Sequence, residues 1–387
     1  MSVTAARGFV AEGLACGIKD GGRLDLALVV NTGPHRAAAG VFTSNRVQAA
    51  PVRWSREALT DGSLAAVVLN SGGANACTGP EGEADTRRTA ETAGASLGLL
   101  PAQVAVCSTG LIGVRLPMPA LERGVAEAAA RLAGPKDPAG GLRAARAIMT
   151  TDTVAKTAVT GGDGWTVGGM AKGAGMLAPG LATMLVVLTT DAEVPADRLD
   201  SVLREAVRTT FDRVDSDGCM STNDTVLLLS SGASGTAPEE GEFAAAVREV
   251  CADLARQLVA DAEGASKEIR IVVTGADSES DAVTVARAVS RSNLLKCALH
   301  GEDPNWGRVL SAVGTTDAVF DPARLDVEIN GVRVCRDSAP GEPREKVDMS
   351  GREITVAVDL RTGPESAVLW TNDLTAAYVH ENSAYSS

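Results

Sequence analysis

A glycine- and proline-rich loop runs straight into an apolar run at Lys172-Gly-Ala-Gly-Met-Leu-Ala-Pro-Gly-Leu-Ala182-Thr183-Met-Leu-Val-Val-Leu188, with a threonine at the junction. Two readings fit these residues. In the first, a flexible loop leads into a core strand that begins with a β-branched residue. In the second, the loop holds the Ala182–Thr183 peptide under strain, stored at about 1–3 kcal/mol per unfavourable residue. The Thr183 hydroxyl could then attack the preceding carbonyl, and hydrolysis of the resulting ester would free the Thr183 amine. An α-amine titrates near about 7.7–8.0, so it can serve as general base for its own hydroxyl. A threonine so equipped needs no histidine. That suits a chain whose three histidines stand at 35, 300 and 380.

Acyl chemistry also needs donors for a developing oxyanion. Cys107-Ser108-Thr109-Gly110 ends an apolar run and offers hydroxyls and glycine amides. One such donor stabilises the barrier by about 2.7–4 kcal/mol. Ser108-Thr109-Gly110 is also an ordinary exit from a strand. Cys107 could be a nucleophile, but its apolar flank points to a buried, inert thiol.

Other motifs lose their chemistry on inspection. Gly94-Ala-Ser-Leu-Gly98 matches the G-x-S-x-G elbow of esterases, which needs a strand before it and a helix after it. Here it ends a helical pattern. Gly173-Ala-Gly-Met-Leu-Ala178 fits a loose dinucleotide pattern, yet Pro179 and Gly180 oppose the helix that would hold a pyrophosphate. His300 lies in the polar run His300-Gly-Glu-Asp-Pro-Asn-Trp-Gly-Arg308. That run reads either as a site or as a turn leading into a capped helix. The seven cysteines (16, 77, 107, 219, 251, 297, 335) are scattered, and neither they nor the histidines show metal-ligand spacing.

The elements that must position these groups alternate. Leu26–Val30, Ala65–Leu69 and Val104–Cys107 read as strands. Glu81–Leu97, Ala120–Leu132, Ala196–Phe211, Glu242–Ala262 and Asp281–Val289 carry helical spacing. Arg270–Thr274 reads as a strand, and the tail reads mostly as strands at Leu325–Ile329, Ile354–Leu360 and Val368–Thr371. Ala133–Gly141 reads as a surface connection. The chain is α/β, but not a neat doubly wound sheet.

Composition narrows the function classes. The chain has 387 residues, with 36 basic and 49 acidic side chains and a net charge of −13. So acidic a surface opposes nucleic-acid backbones and anionic membranes, and 3% aromatic content leaves few stacking platforms. No apolar run approaches the ~18 residues of a membrane helix. No secretory leader is read at the N-terminus, and the unpaired cysteine pattern suits a reduced, cytoplasmic protein.

Several segments together resemble one family, the ornithine acetyltransferases, also called glutamate N-acetyltransferases, of arginine biosynthesis. They are Ala39-Gly-Val-Phe-Thr-Ser-Asn45, Asn70-Ser-Gly-Gly-Ala-Asn-Ala-Cys77, Cys107-Ser-Thr-Gly-Leu-Ile-Gly113 and Met149-Thr-Thr-Asp-Thr153. The Lys172–Leu185 segment, Ser221-Thr-Asn-Asp-Thr225, Asp261-Ala-Glu-Gly264, Asp303-Pro-Asn-Trp-Gly-Arg308 and Glu381-Asn-Ser-Ala-Tyr-Ser-Ser387 continue the series. Singly these are weak, but in this order they are specific, and they span essentially the whole chain.

The resemblance implies an α/β fold of mixed sheets packed with helices, an αββα-like layered core with a second, smaller α/β lobe. It implies self-cleavage at Ala182–Thr183 into interleaved chains, α (1–182) and β (183–387), and an α2β2 assembly. Thr183 would be the nucleophile, and Thr109 and Gly110 the oxyanion hole. Thr150, Lys172, Thr183, Glu263, Asn382 and Ser387 would contact substrate. N-acetylornithine would acylate the threonine, and glutamate would accept the acetyl group. No metal or organic cofactor is implied, and acetyl-CoA serves part of the family as a second donor. Two other functions are compatible with the residues. One is an N-terminal-nucleophile aminopeptidase or amidase, in which water takes the acyl group. The other is an uncut α/β protein that binds amino acids without catalysis. A cousin branch in β-lactam-type metabolism fits the Asn70–Cys77 stretch less well.

Overall fold

The computed structural model describes residues 2–135, 137–178 and 184–384. Ala182, Thr183 and Ser387 therefore lie outside the described residues.

Four strands form the first sheet: β1 (Phe9–Leu14), β2 (Leu26–Asn31), β4 (Ala66–Gly73) and β5 (Val104–Leu111), adjacent in that order. Five form the second, in the order β3-β9-β8-β7-β6, with β3 (Ala38–Phe42), β6 (Lys156–Gly162), β7 (Trp165–Lys172), β8 (Leu185–Thr190) and β9 (Thr225–Ser230). Both sheets mix parallel and antiparallel pairs: β4–β5 and β8–β9 are parallel, and the other pairs are antiparallel.

The central strands β2, β8 and β9 are mostly apolar and buried at every position, which marks a sheet covered on both faces. Alternate side chains point opposite ways. In β8, Leu185 and Val187 meet Val67, Leu69 and Ala105 of the first sheet. Val186 and Leu188 face the other way, into a core shared with α5 (Ala196–Thr209) and α6 (Glu240–Ala260). In the first sheet, Leu28, Val68 and Val106 pack outward against α2 (Gly79–Leu97) and α3 (Met118–Leu132). Helices, sheet, sheet, helices are thus stacked in four layers, the layered αββα core expected from the resemblance. Two further helices, α1 (Ala50–Ala58) and α4 (Gly140–Ala147), pack beside the first sheet, α4 lying across β1.

The second lobe is a six-stranded sheet, order β13-β12-β11-β14-β10-β15. Its strands are β10 (Glu268–Ala276), β11 (Asp326–Ile329), β12 (Val332–Arg336), β13 (Ala339–Pro340), β14 (Glu353–Asp359) and β15 (Glu365–Asn372). One apolar core joins it to α7 (Glu279–Ser290), α8 (Asn293–His300) and α9 (Trp306–Val313). The chain then ends in α10 (Ala376–Ala384), a helix where the sequence pattern shows mostly strands.

The expected elements appear with small shifts at their ends. The largest concern β4, which the sequence ends at Leu69 but which continues to Gly73, and β5, which the sequence ends at Cys107 but which continues through Ser108, Thr109 and Gly110 to Leu111. Gly94–Gly98 is the C-terminus of α2, closed by Gly98 at φ +68°, so no esterase elbow exists there. His300 closes α8, and Asn305 caps α9 by accepting from the Arg308 amide, which settles that run as a capped turn.

Gly110 has a backbone reason to be glycine. Its φ is +127°, and a Cβ there would lie 2.5 Å from the Gly72 carbonyl carbon, at the register shift between β4 and β5. Gly110→Ala should therefore cost at least about 1–3 kcal/mol from backbone strain alone. Chemical denaturation would check this, and a variant as stable as the parent would contradict it.

Candidate active site

The ends of β5, β7 and β8 meet where the two sheets of the core stack. Thr109 and Gly110 sit at the end of β5, Lys172 ends β7, and Leu185, its partner in register, opens β8. Asn223, just before β9, fastens the sheets together: its amide donates to the carbonyls of Ser108 and Ala74 at 2.8 and 2.6 Å. Ser108 donates to Asn70 of β4 at 2.6 Å. Thr109 is thus held in place through Ser108 before it.

Lys172 is only 1% exposed, and its ammonium lies 3.4 Å from the Thr109 hydroxyl oxygen. Burial lowers it from the usual lysine range, and the nearby Asp152 carboxylate opposes that fall. Burial would raise Asp152, but the Lys172 and Lys156 ammonium groups and the Gly173 amide bring it down to about 2. Asp152 accepts from Gly173 N at 2.6 Å, from Lys156 Nζ at 2.7 Å and from Thr150 N at 2.9 Å. Lys156 donates onward to Asp261 at 2.5 Å, and Asp261 accepts from Thr153 N at 3.0 Å. A chain of alternating buried charges therefore orders the segment 150–156 against the strand that carries Lys172.

Glu263 approaches the same strand from the end of α6. Its amide donates to Ala174 O at 2.9 Å, and its carboxylate accepts from Asn382 Nδ2 of α10 at 2.9 Å. Gly175 leaves room for that carboxylate, since a Cβ would stand 2.4 Å from Glu263 Oε2. Asp217 also supports this loop: it accepts from Met176 N at 2.7 Å and lies 3.4 Å from the Tyr378 hydroxyl of α10. Burial pushes the Asp217 carboxyl up to about 6.

The structure thus gathers Thr109, Gly110, Thr150, Lys172, Glu263 and Asn382 around the backbone of residues 172–175. Glu263 contributes to the field on Lys172, although the two make no direct hydrogen bond. Beside Thr150 opens a cleft of about 640 Å³, lined by Lys19, Arg23, Arg146, Met149 and Asp152. Lys19 is held there by the carbonyls of Met149 and Leu24, at 2.5 and 3.2 Å. Cys107 is fully buried with its thiol pushed up to about 12, so it is no nucleophile. Among the described residues no group of three or more His, Cys, Asp or Glu could hold a metal ion.

Asp152, Lys156, Asp261, Asn223 and Asp224 escaped the residue-level reading. Lys156 excepted, they stand inside the quoted motif segments; a buried lysine four residues after Asp152 was the available signal. Asp224 is fully buried, and its Oδ1 accepts from Met184 N at 3.1 Å. Burial holds its carboxyl well above the usual range, against the pull of the Met184 amide, the Ser221 and Thr43 hydroxyls and the Lys172 charge.

Residues 10–387 match the ArgJ family. The chain belongs to the ArgJ family. It is 66% identical over 387 residues to the arginine biosynthesis bifunctional protein ArgJ of Streptomyces coelicolor, with all of both chains covered. It is 62% identical to the protein of the same name from Thermobifida fusca, again over the whole of both chains. Among solved structures, the ornithine acetyltransferase of Mycobacterium tuberculosis, complexed with ornithine, is 56% identical; the match covers 48% of this chain and 96% of that chain, with a TM-score of 0.45.

The buried charge chain predicts its own weak point. Asp152→Asn would leave Lys172 and Lys156 short of a counter-ion, which should cost about 3–5 kcal/mol at neutral pH. The sign follows from a depressed carboxyl: its stabilisation is present above the unfolded value near about 4 and is lost as pH falls toward about 2. The gap between variant and parent should thus narrow across that acid range. Denaturation curves that coincide at neutral pH would contradict this.

Proposed function

We propose that this chain is a self-processing acetyltransferase that moves an acetyl group from N-acetylornithine to glutamate through an acetyl-Thr183 intermediate, as in arginine biosynthesis. The observation that carries the proposal is the convergence of a threonine hydroxyl and a buried ammonium from two strand ends, of β5 and β7: Thr109 and Lys172, 3.4 Å apart. Membership of the ArgJ family supports the same reading.

On this reading the free Thr183 amine takes the proton of its own hydroxyl as the oxygen attacks the acetyl carbonyl. The developing oxyanion would face the Thr109 hydroxyl and the Gly110 amide, with the Lys172 charge behind them. Ornithine leaves when its nitrogen regains the proton, and the glutamate amine then attacks the acetyl ester. Glu263 and Asn382 present a carboxylate and an amide suited to an ammonium and a carboxylate of an amino-acid substrate, with Thr150 and Ser387 completing the contacts. The acyl group rides on the protein, so the reaction requires no metal or organic cofactor. An acetyl thioester such as acetyl-CoA could load the same threonine. The mature enzyme would pair chains 1–182 and 183–387, assemble as α2β2 and work in the cytoplasm. No helix among the described residues is long and apolar enough to cross a membrane.

Thr183→Ala should remain one band on a denaturing gel and transfer no acetyl groups; a variant that is cut and active would contradict the proposal. Thr109→Ala should mature but lose about 10²–10³ in kcat, the worth of one oxyanion donor. Unchanged steady-state kinetics would remove Thr109 from the site.

A further inference from the structure

The cleft beside Thr150 gathers three cations, Lys19, Arg23 and Arg146. None of the three makes a salt bridge among the described residues; Lys19 and Arg23 donate to backbone carbonyls instead. In a chain of net charge −13, arginines elsewhere are matched: Arg115, Arg143 and Arg208 pair with carboxylates at 2.9, 2.7 and 2.7 Å. The carboxylates of Asp25 and Asp152 reach Lys19 with their charge, but both are engaged elsewhere. Asp25 is fully buried and accepts from the amides of Cys16, Gly17, Ile18 and Lys19 at 2.7, 3.1, 2.7 and 2.9 Å. Asp152 is spent on Lys156 and on the Gly173 and Thr150 amides. The four amides on Asp25 fix the loop 16–19, so Lys19 is built into the cleft. Its ammonium donates to Met149 O at 2.5 Å and Leu24 O at 3.2 Å, which leaves one of its three protons for a ligand. Burial lowers it to about 8, Asp25 opposing the fall and the Arg23 and Lys172 charges adding to it, so it stays largely charged at neutral pH.

Position gives that proton a task. Met149 O is two bonds from Thr150 N, so Lys19 Nζ stands at most about 5 Å from that nitrogen. Thr150 is a residue that the acetyl-transfer reading sets against substrate, and it lines the same cleft. Ornithine and glutamate share an α-amine and an α-carboxylate. They differ at the side-chain end, an ammonium in one and a carboxylate in the other. A carboxylate such as Glu263 suits the first and repels the second. A lysine with an unused proton does the reverse. We propose that the side-chain carboxylate of the acceptor glutamate binds in this cleft, accepting a hydrogen bond from Lys19 within the field of Arg23 and Arg146. Lys19 is thereby a specificity-determining residue, favouring glutamate over ornithine as acceptor of the acetyl group. The inference rests on the acetyl-transfer reading above and adds to it the group that tells the two amino acids apart.

The experiment lets glutamate and isotope-labelled ornithine compete for the acetyl group of N-acetylornithine on the full-length enzyme. The readout is the ratio of kcat/KM for the two acceptors, from the amounts of N-acetylglutamate and labelled N-acetylornithine formed. Lys19→Met should lower the glutamate-to-ornithine ratio by about 10- to 100-fold, the worth of one hydrogen bond between charged groups. A purely structural role would slow both acceptors alike and leave the ratio where it was. A folded Lys19→Met enzyme whose ratio falls by less than about tenfold therefore overturns the proposal. Should Lys19→Met fail to fold, as judged by circular dichroism, Arg23→Gln combined with Arg146→Gln decides. A ratio lowered about threefold or more, the scale of exposed charges, supports the proposal, and a smaller change overturns it. A wild-type enzyme that passes acetyl groups to neither amino acid would instead sink the acetyl-transfer reading itself, an outcome distinct from the others.

Discussion

A lysine ammonium taken out of water must be met by carboxylates, and much of this site follows from meeting that demand at Lys172. Asp152 answers it through its nearby charge and its bond to the Gly173 amide, and in doing so draws in Lys156, which in turn requires Asp261. These four residues come from the segment before β6, from β6 itself, from the end of β7 and from the turn after α6. Their pairing fixes where those elements end. Because half-satisfied buried charges are costly, the chain tolerates no intermediate arrangement. What results is a buried lysine ammonium at a strand end, placed beside a threonine hydroxyl.

The layered sheets supply the second half of that placement. A strand buried at every position sits between two cores, so β8 is held on both faces and its first residue inherits a defined location. Asn223 and Asp224, at the mouth of β9, then tie β5 and β8 to one point. Gly110 must bend where its neighbours Gly72 and Gly73 come too close for a side chain. Local chemistry at the strand ends and global stacking of the sheets therefore agree on one geometry. Such agreement across levels is what the proposed self-processing would demand, since a single peptide must be singled out from several hundred.

Much of this was legible in the residues. Continuous apolar runs marked the inner strands, small and apolar residues at helical spacing marked α2, α3, α5, α6 and α7, and the Gly-Pro loop before residue 183 marked the junction at which cleavage is proposed. Other features were not legible, for physical reasons. The β6–β7 hairpin is rich in glycine and threonine, with Val159 exposed, so it lacks a clean alternation. α10 is a polar helix with no buried side chain, held through Asn382 and Tyr378 by partners over a hundred residues away. The ion chain from Lys172 to Asp261 is non-local: no periodicity announces that residues 152, 156, 172 and 261 will share one pocket of charge. The strand carrying Thr109 ran past its apolar part because its polar end is paired by β4 and capped by Asn223, not because of its own propensity.

The account finally stands on a covalent intermediate carried by the protein. Intact-fragment mass spectrometry after brief exposure to N-acetylornithine, with glutamate withheld, tests this most directly. The prediction is one acetyl group on the fragment that begins at Thr183, located at its first residue and removed when glutamate is added. A fragment that stays unmodified while acetyl transfer proceeds, or an acetyl group found on another residue, would contradict it.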